Sequence, residues 1–306
     1  MNTTTTNGLV SSTPTSSVNS NNGSQPLSNS PGRIALIGIY VVVLMVGTLG
    51  IVLMIKVLKC NLRSVTTVAV LNLIVAHLLF LPTIPFRIHY YVRDSWDLPP
   101  EMCRMVSFMI HIHMYISFLI YVIVLILRFY IFYKRTESPD FHRKLHSLGA
   151  SGTIWIVVSI VMLVVFKSYG DDNIKNNTTC FTFGKRTGEL GVRVINYIIS
   201  GVFITVPIVL CAVQINILRS IRRQYGATFS SQQEFWAQMK SLCFVLIMLV
   251  CFVPYHLFRI YYVTGITVEK ESQNEIFLAI TGLSCLDLLT FVGRGACYSC
   301  GRIFRL

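Results

Sequence analysis

The run CRMVSFMIHIHMYISFLIYVIVLILRFYIFYKR, Cys103 to Arg135, decides the fold. It opens on a cysteine, carries His111 and His113 in its first half, and closes on Arg128, Lys134 and Arg135. Nearly everything between is apolar. Cys103 and Arg128 stand 25 residues apart, about 37 Å along a helix that rises about 1.5 Å per residue. A hydrocarbon core is about 30 Å thick, so this run crosses a bilayer and leaves its cysteine and its basic end on opposite sides.

The rest of the chain repeats that composition. Hydrophobic residues make up 53% of the 306 residues and charged ones 13%, and the mean hydropathy is +0.62. Average soluble domains carry about 25% charge, so this is an integral membrane protein. Apolar runs of about 17 residues or more occur at Ile34–Leu58, Thr66–Tyr91, Met105–Tyr133, Leu148–Phe166, Val194–Leu218, Leu242–Val263 and Ile276–Val292. In lipid such a run satisfies its own backbone polar groups only as a helix. The expected fold is an all-α membrane protein, a seven-transmembrane helix bundle over residues 33–293, with the termini on opposite faces.

The loops set its orientation. Fifteen Lys and Arg, from Lys56 and Arg63 through Arg143 and Arg222 to Arg305, fall on the side that holds the C-terminus, against Glu137, Asp140 and Glu234. Positive charge collects on the cytoplasmic side, which makes residues 294–306 a short cytoplasmic tail. The net charge of +13 is thus a topological signature; no nucleic-acid motif accompanies it. Residues 1–32 are mostly Ser, Thr, Asn, Gly and Pro, the composition of a disordered extracellular tail. That stretch lacks the basic start and apolar core of a cleavable signal, so the first apolar helix is expected to act as an uncleaved one. Acceptor triplets for N-glycosylation at Asn2, Asn22, Asn176 and Asn177 all fall on the extracellular side.

Of nine cysteines, Cys103 and Cys180 are the two placed outside, where the compartment is oxidising. A bridge between them would pin the 167–193 loop over the mouth of the bundle and remove about 4.5 kcal/mol of unfolded-state freedom. Cys297 and Cys300 follow the last helix at the membrane surface and are candidates for S-palmitoylation.

An ionisable side chain at mid-bilayer costs about 2.5 to 3.5 kcal/mol and needs a partner or a role. Asp287 in the seventh run and His77 in the second sit in the inner halves of their spans and are expected to pair. Towards the outer end, Phe252, His256 and Arg259 share one face of the sixth run, which Pro254 should kink. Ser107, His111, Met114 and Tyr115 share a face of the third run, from which His113 points away as a packing histidine. Arg87 and Glu275 reach the same level, and Glu275 is one candidate to neutralise Arg259. Arg87, His111, Tyr115, His256, Arg259 and Glu275 are the candidate ligand-binding residues, suited to an anionic ligand with a flat or apolar part. Sequence signatures of hydrolases, metalloproteases and phosphate-cradling loops do not occur, and no enzyme activity, metal or other cofactor is expected.

With these residues in view, the chain resembles the class A, rhodopsin-like G protein-coupled receptors over residues 33–296. The resemblance rests on Cys103 with Cys180, Trp96, Arg128, Trp155, Pro207 and the run CFVP at Cys251–Pro254. The longer run Cys251–Tyr262, CFVPYHLFRIYY, resembles the purinergic-like branch. The resemblance implies a plasma-membrane receptor, an extracellular ligand and a heterotrimeric G protein partner. Departures from the family occur at Ile51, His77, Phe252, Leu127-Arg128-Phe129 and Asp287-Leu288-Leu289-Thr290-Phe291. With His77 replacing the family's helix-two Asp, its sodium site is not expected; Ile110, where amine receptors carry an Asp, speaks against an amine ligand. The expected activation switch comprises Arg128, Glu234, Phe252, Pro254, Asp287 and His77, with an Arg128–Glu234 ion pair holding the resting state. Two other readings stand beside it: a transporter or proton-responsive protein using His77, Asp287, His111 and His113, and a receptor-like scaffold without G protein activation.

Overall fold

A computed structural model describes residues 31–60, 65–134, 149, 151–160, 180–181, 190–226, 228, 233–265 and 267–290. Asn2, Asn22, Asn176, Asn177, Cys297 and Cys300, with the tails at 1–30 and 291–306, lie outside the described residues. The elements are α1 (Pro31–Cys60), α2 (Val65–Phe80), α3 (Ile84–Arg93), α4 (Pro100–Lys134), α5 (Ser151–Ile160), α6 (Leu190–Tyr225), α7 (Gln233–Ile247), α8 (Val253–Thr264), α9 (Val268–Thr281) and α10 (Asp287–Thr290). Every element among the described residues is helical.

Five helical spans are long and apolar enough to cross a membrane: α1, α2 with α3, α4, α6, and α7 with α8. The fourth apolar run is described over α5 alone, and the seventh is the α9–α10 unit. Helices outrun the apolar runs at their polar ends. α6 begins at Leu190 and ends at Tyr225, and α9 takes in the charged turn from Glu269 to Glu275. Hydropathy finds the lipid-buried part of a helix, whereas its solvated end turns stay helical by backbone bonding.

Three spans are broken at identifiable places. Between α2 and α3 a 3-10 turn, Leu81–Thr83, carries Pro82, with Pro85 just beyond. Proline lacks an N–H and clashes with the preceding turn, and Thr83 Oγ1 donates to Phe80 O at 2.6 Å. Between α7 and α8 lies one π-helical turn, Met248–Phe252, which ends two residues before Pro254. Between α9 and α10 the backbone tightens into a 3-10 turn, Gly282–Leu286.

α2 packs along α4, α6 along α7 and α8, and α1 against α9 and the 3-10 turn that follows it. Buried residues of α6 fall at Ser200, Phe203, Pro207, Leu210, Gln214, Ile217 and Ile221, an alternation of three and four that makes one continuous seam. Polarity is inverted relative to a soluble protein. Met45, Val52, Ile198 and Val209 are exposed, whereas His77, Arg87, Gln214 and Asp287 are fully buried, the arrangement that a lipid surround requires.

The Cys103 end of the bundle is tied off by two devices. Cys103 is bonded to Cys180 with their Cα atoms 5.9 Å apart. Arg33 at the start of α1 donates to Tyr91 O at 2.6 and 2.8 Å and pairs with Asp94 at 3.3 Å.

Candidate functional site

Near the disulfide, Arg87 of α3 is the largest fully buried side chain among the described residues. The 3-10 break ahead of α3 places it among α1, α4 and α9. Its Nη1 donates to Tyr40 Oη at 3.0 Å and to Glu275 Oε2 at 3.2 Å, and its Nη2 to Val106 O at 3.3 Å. Tyr91 Oη also donates to Glu275 Oε2 at 3.2 Å. The guanidinium lies over the Phe181 ring at 4.3 Å, so the residue after the bridged Cys180 caps this ion pair. Glu275 therefore neutralises Arg87, in place of its alternative partner Arg259. The reason is position: Arg87 is sealed in the bundle and needs a carboxylate, whereas Arg259 is half-buried.

The remaining candidates gather between α4, α6 and α8. Arg259 Nε donates to Asn196 Oδ1 at 3.1 Å and its guanidinium lies over the Tyr262 ring at 5.1 Å. His256 Nδ1 is bonded to Ser200 Oγ at 3.2 Å, and its ring lies 4.2 Å from that of Phe203. Its Nε2 is buried with no hydrogen-bond partner among the described residues. His111 Nδ1 accompanies Ser107 O at 2.8 Å, and the ring lies within electrostatic reach of both Arg259 and Arg87. Tyr115 meets Phe203 edge-on at 5.5 Å. The six candidates thus divide into a self-satisfied ion pair and a group of two histidines and an arginine lined by aromatic rings.

One level deeper, His77 Nε2 lies 3.1 Å from Asp287 Oδ1, as the scarcity of mid-span partners led one to expect. His113 joins them: its Nε2 lies 2.7 Å from His77 Nδ1, and its ring stacks on Phe80 at 4.3 Å. The packing role assigned to His113 is corrected accordingly. Turned away from the His111 face of α4, it meets α2 instead of lipid. Tyr121 completes the group by donating to Asp287 Oδ2 at 2.7 Å and to Ser284 O at 3.2 Å. Tyr121 also stacks on Phe244 of α7 and on Phe252, at 5.5 and 6.1 Å.

At the far end of α4, Arg128 Nη1 donates to Ala237 O at 2.7 Å and to Ser241 Oγ at 2.9 Å. This replaces the expected ion pair with Glu234, which does not form among the described residues. Glu234 is exposed in the first turn of α7, and the guanidinium crosses further along that helix. Arg128 still ties α4 to α7, through neutral acceptors. Pro254 is the second residue of α8, two after Phe252, at the helix break described above.

Sequence reasoning missed Tyr40, Asn196, Ser200, Tyr121 and Ser241. Each is a single polar group in an apolar run and carries no charge to betray it. Tyr121 had one available signal, since His113, Ser117 and Tyr121 follow at intervals of four and share a face of α4.

The sequence pattern of the family described as 7 transmembrane receptor (rhodopsin family) matches residues 50–289. The chain is 41% identical to human probable G-protein coupled receptor 141 over 269 residues, covering 85% of this chain and 88% of that protein. It is 26% identical to mouse probable G-protein coupled receptor 34, a purinergic-like relative, over 81% of this chain and 70% of that one. Against mouse 2-oxoglutarate receptor 1 the identity is 21% over 72% and 66% of the two chains. The helical spans, the bridged cysteines and this match over most of the sequence lead to one assignment: the chain belongs to the rhodopsin family of seven-transmembrane, G protein-coupled receptors.

Proposed function

We propose that this plasma-membrane receptor binds an anionic extracellular ligand at His111, His256 and Arg259 and passes the signal to a heterotrimeric G protein. The N-terminus and the Cys103 end then face outward, and the tail at 294–306 faces the cytosol with the basic loops. The observation that carries the ligand class is the unpartnered Nε2 of buried His256, beside Arg259 and His111. An unsatisfied buried polar atom costs about 1 to 3 kcal/mol, and an acidic ligand group bonded there would recover it. Phe203 and Tyr262 offer apolar surface for the ligand's remaining part. The name of 2-oxoglutarate receptor 1 gives a dicarboxylate as ligand of one relative, which supports an acidic ligand here.

In this reading α7 swings outward about the π turn and Pro254. That motion separates Arg128 from Ala237 and Ser241 and opens the inner face to the G protein. A ligand drives it only to the extent that it binds the open form better, with about 5.5 kcal/mol needed to carry a population from 1:99 to 99:1. The test is a screen of carboxylate metabolites, nucleotides and lysophospholipids on cells expressing wild type or Arg259→Ala at matched surface density. An active compound is expected to lose at least about tenfold in potency on Arg259→Ala, the loss of one charge-assisted bond worth about 1.5 to 3 kcal/mol. Equal potency would remove Arg259 from the site.

A further inference from the structure

His113, His77, Asp287 and Tyr121 form one continuous hydrogen-bonded chain through the centre of the bundle, contributed by α2, α4 and α10. Each is at most 1% exposed. The ligand site proposed above uses none of them.

The order of protons along the chain follows from its chemistry. An ionised Asp287 has only acceptor oxygens, so His77 carries its proton on Nε2 and donates it. A neutral His77 then presents a bare Nδ1, which accepts from His113 Nε2–H across 2.7 Å. His113 is left with a bare Nδ1. That atom is buried without a hydrogen-bond partner among the described residues, as are the Oγ atoms of Ser117 on α4 and Ser284 on the 3-10 turn before α10. The chain therefore ends in an unused imidazole lone pair at one end and a buried carboxylate at the other.

We propose that this chain is a proton-binding site whose occupancy sets the grip of α4 on the sixth span. A proton taken up at His113 Nδ1 releases the one on His113 Nε2 to His77 Nδ1, and His77 Nε2 passes its own to Asp287 Oδ1. One proton enters, none leaves, and the net charge of the group goes from −1 to zero. Tyr121 then donates to a neutral acid instead of a carboxylate. Hydrogen bonds to ionised acceptors are roughly twice as strong as neutral ones, so the Tyr121 phenol is loosened. Tyr121 is the ring packed on Phe244 and Phe252, which places the effect on the segment that moves. Cys251 on the π turn and Cys285 on the 3-10 turn are the titratable groups that meet Asp287 from the other packed segments. α1 presents the Val43 carbonyl, which accepts from Cys285 Sγ at 3.8 Å.

The experiment is thermal unfolding of the purified full-length receptor in lipid nanodiscs between about pH 5 and 8. Three variants accompany wild type: His113→Gln, Asp287→Asn and, as a control, His89→Gln at an exposed position of α3. A glutamine amide occupies the Nε2 position and still donates to His77 but takes up no proton. Wild type and His89→Gln are expected to show the same shift of melting temperature with pH, and His113→Gln and Asp287→Asn to lose most of it. A flat wild-type profile, or a His113→Gln profile that tracks wild type, would overturn the proposal. Should His113→Gln fail to fold, wild type with 15N-labelled histidine decides. Two imidazoles coupled across an N–H···N bond are expected to change together over that pH range, and an unchanged pair sinks the idea. Neither readout needs a ligand or a G protein, so both stand apart from the test of the ligand site.

Discussion

Two arginines at the Cys103 end look alike in the sequence and do different work. Arg87 is wholly buried and held by Glu275, Tyr40 and Val106 O, whereas Arg259 is half-buried and meets a neutral amide. Removing one partner of a buried pair leaves an uncompensated charge and costs about 3 to 5 kcal/mol, while replacing both with apolar groups is often close to neutral. Glu275→Gln is therefore expected to lower the melting temperature of the purified receptor sharply, and Arg87→Met with Glu275→Leu to recover most of the loss. If Glu275→Gln melts as wild type does, the pair is not structural. Charge also decided what was legible at this scale. His77 and Asp287 could be matched because mid-span ionisable residues are scarce and each needs a partner. His113 was misjudged because two residues turn a helix by about 200°, and turning away from the ligand face was equated with packing. Arg128 was given Glu234 because that residue matches the partner the family resemblance implies, yet a hydroxyl and a carbonyl hold it.

Elements were legible wherever hydropathy or proline marks them. The apolar runs located every described span, and Pro254 marked the neighbourhood of the π turn in the sixth. The 3-10 turn at Leu81–Thr83 was not drawn out although it contains Pro82 and Pro85 follows it, because an apolar run reads the same through a break. Close packing leaves even less trace in one sequence. A Cβ built on Gly50 of α1 would lie 3.0 Å from Leu288 Cβ, an atom that cannot swing aside, whereas one on Gly38 meets nothing within 4 Å. Overpacking of this kind costs about 1 to 3 kcal/mol, and an unobstructed Gly→Ala change in a helix gains up to about 1 kcal/mol. Gly50→Ala should consequently melt below wild type and Gly38→Ala at or above it in the same thermal assay. Equal melting of the two would mean that α1 and α10 do not approach as closely as the structure places them. At the π turn the expectation is functional: Pro254→Ala restores a backbone N–H and removes the clash with the preceding turn. It should reduce ligand-evoked G protein signalling at unchanged surface density, and an unaltered response would argue against this hinge.

For the whole molecule, the proposed orientation rests on charge and redox asymmetry, two arguments from unrelated physics. The fifteen Lys and Arg that follow the odd-numbered spans resist translocation. The Cys103–Cys180 bridge at the other end forms only in an oxidising compartment. Closing 77 residues, it contributes about 4.5 kcal/mol on the chain-entropy view, and it also holds Phe181 over Arg87. Losing it should therefore destabilise the receptor and disturb the ion pair together. Orientation itself is tested with an epitope tag within residues 1–30 and another after Leu306. The first is expected to stain on intact cells and the second only after permeabilisation. Staining of the tail tag on intact cells would reverse the bundle, exposing the Arg128 end to the outside and moving His256 and Arg259 to the cytosolic face. An extracellular acid could not reach them there, so this one result would remove the ligand site while leaving the fold and the family intact.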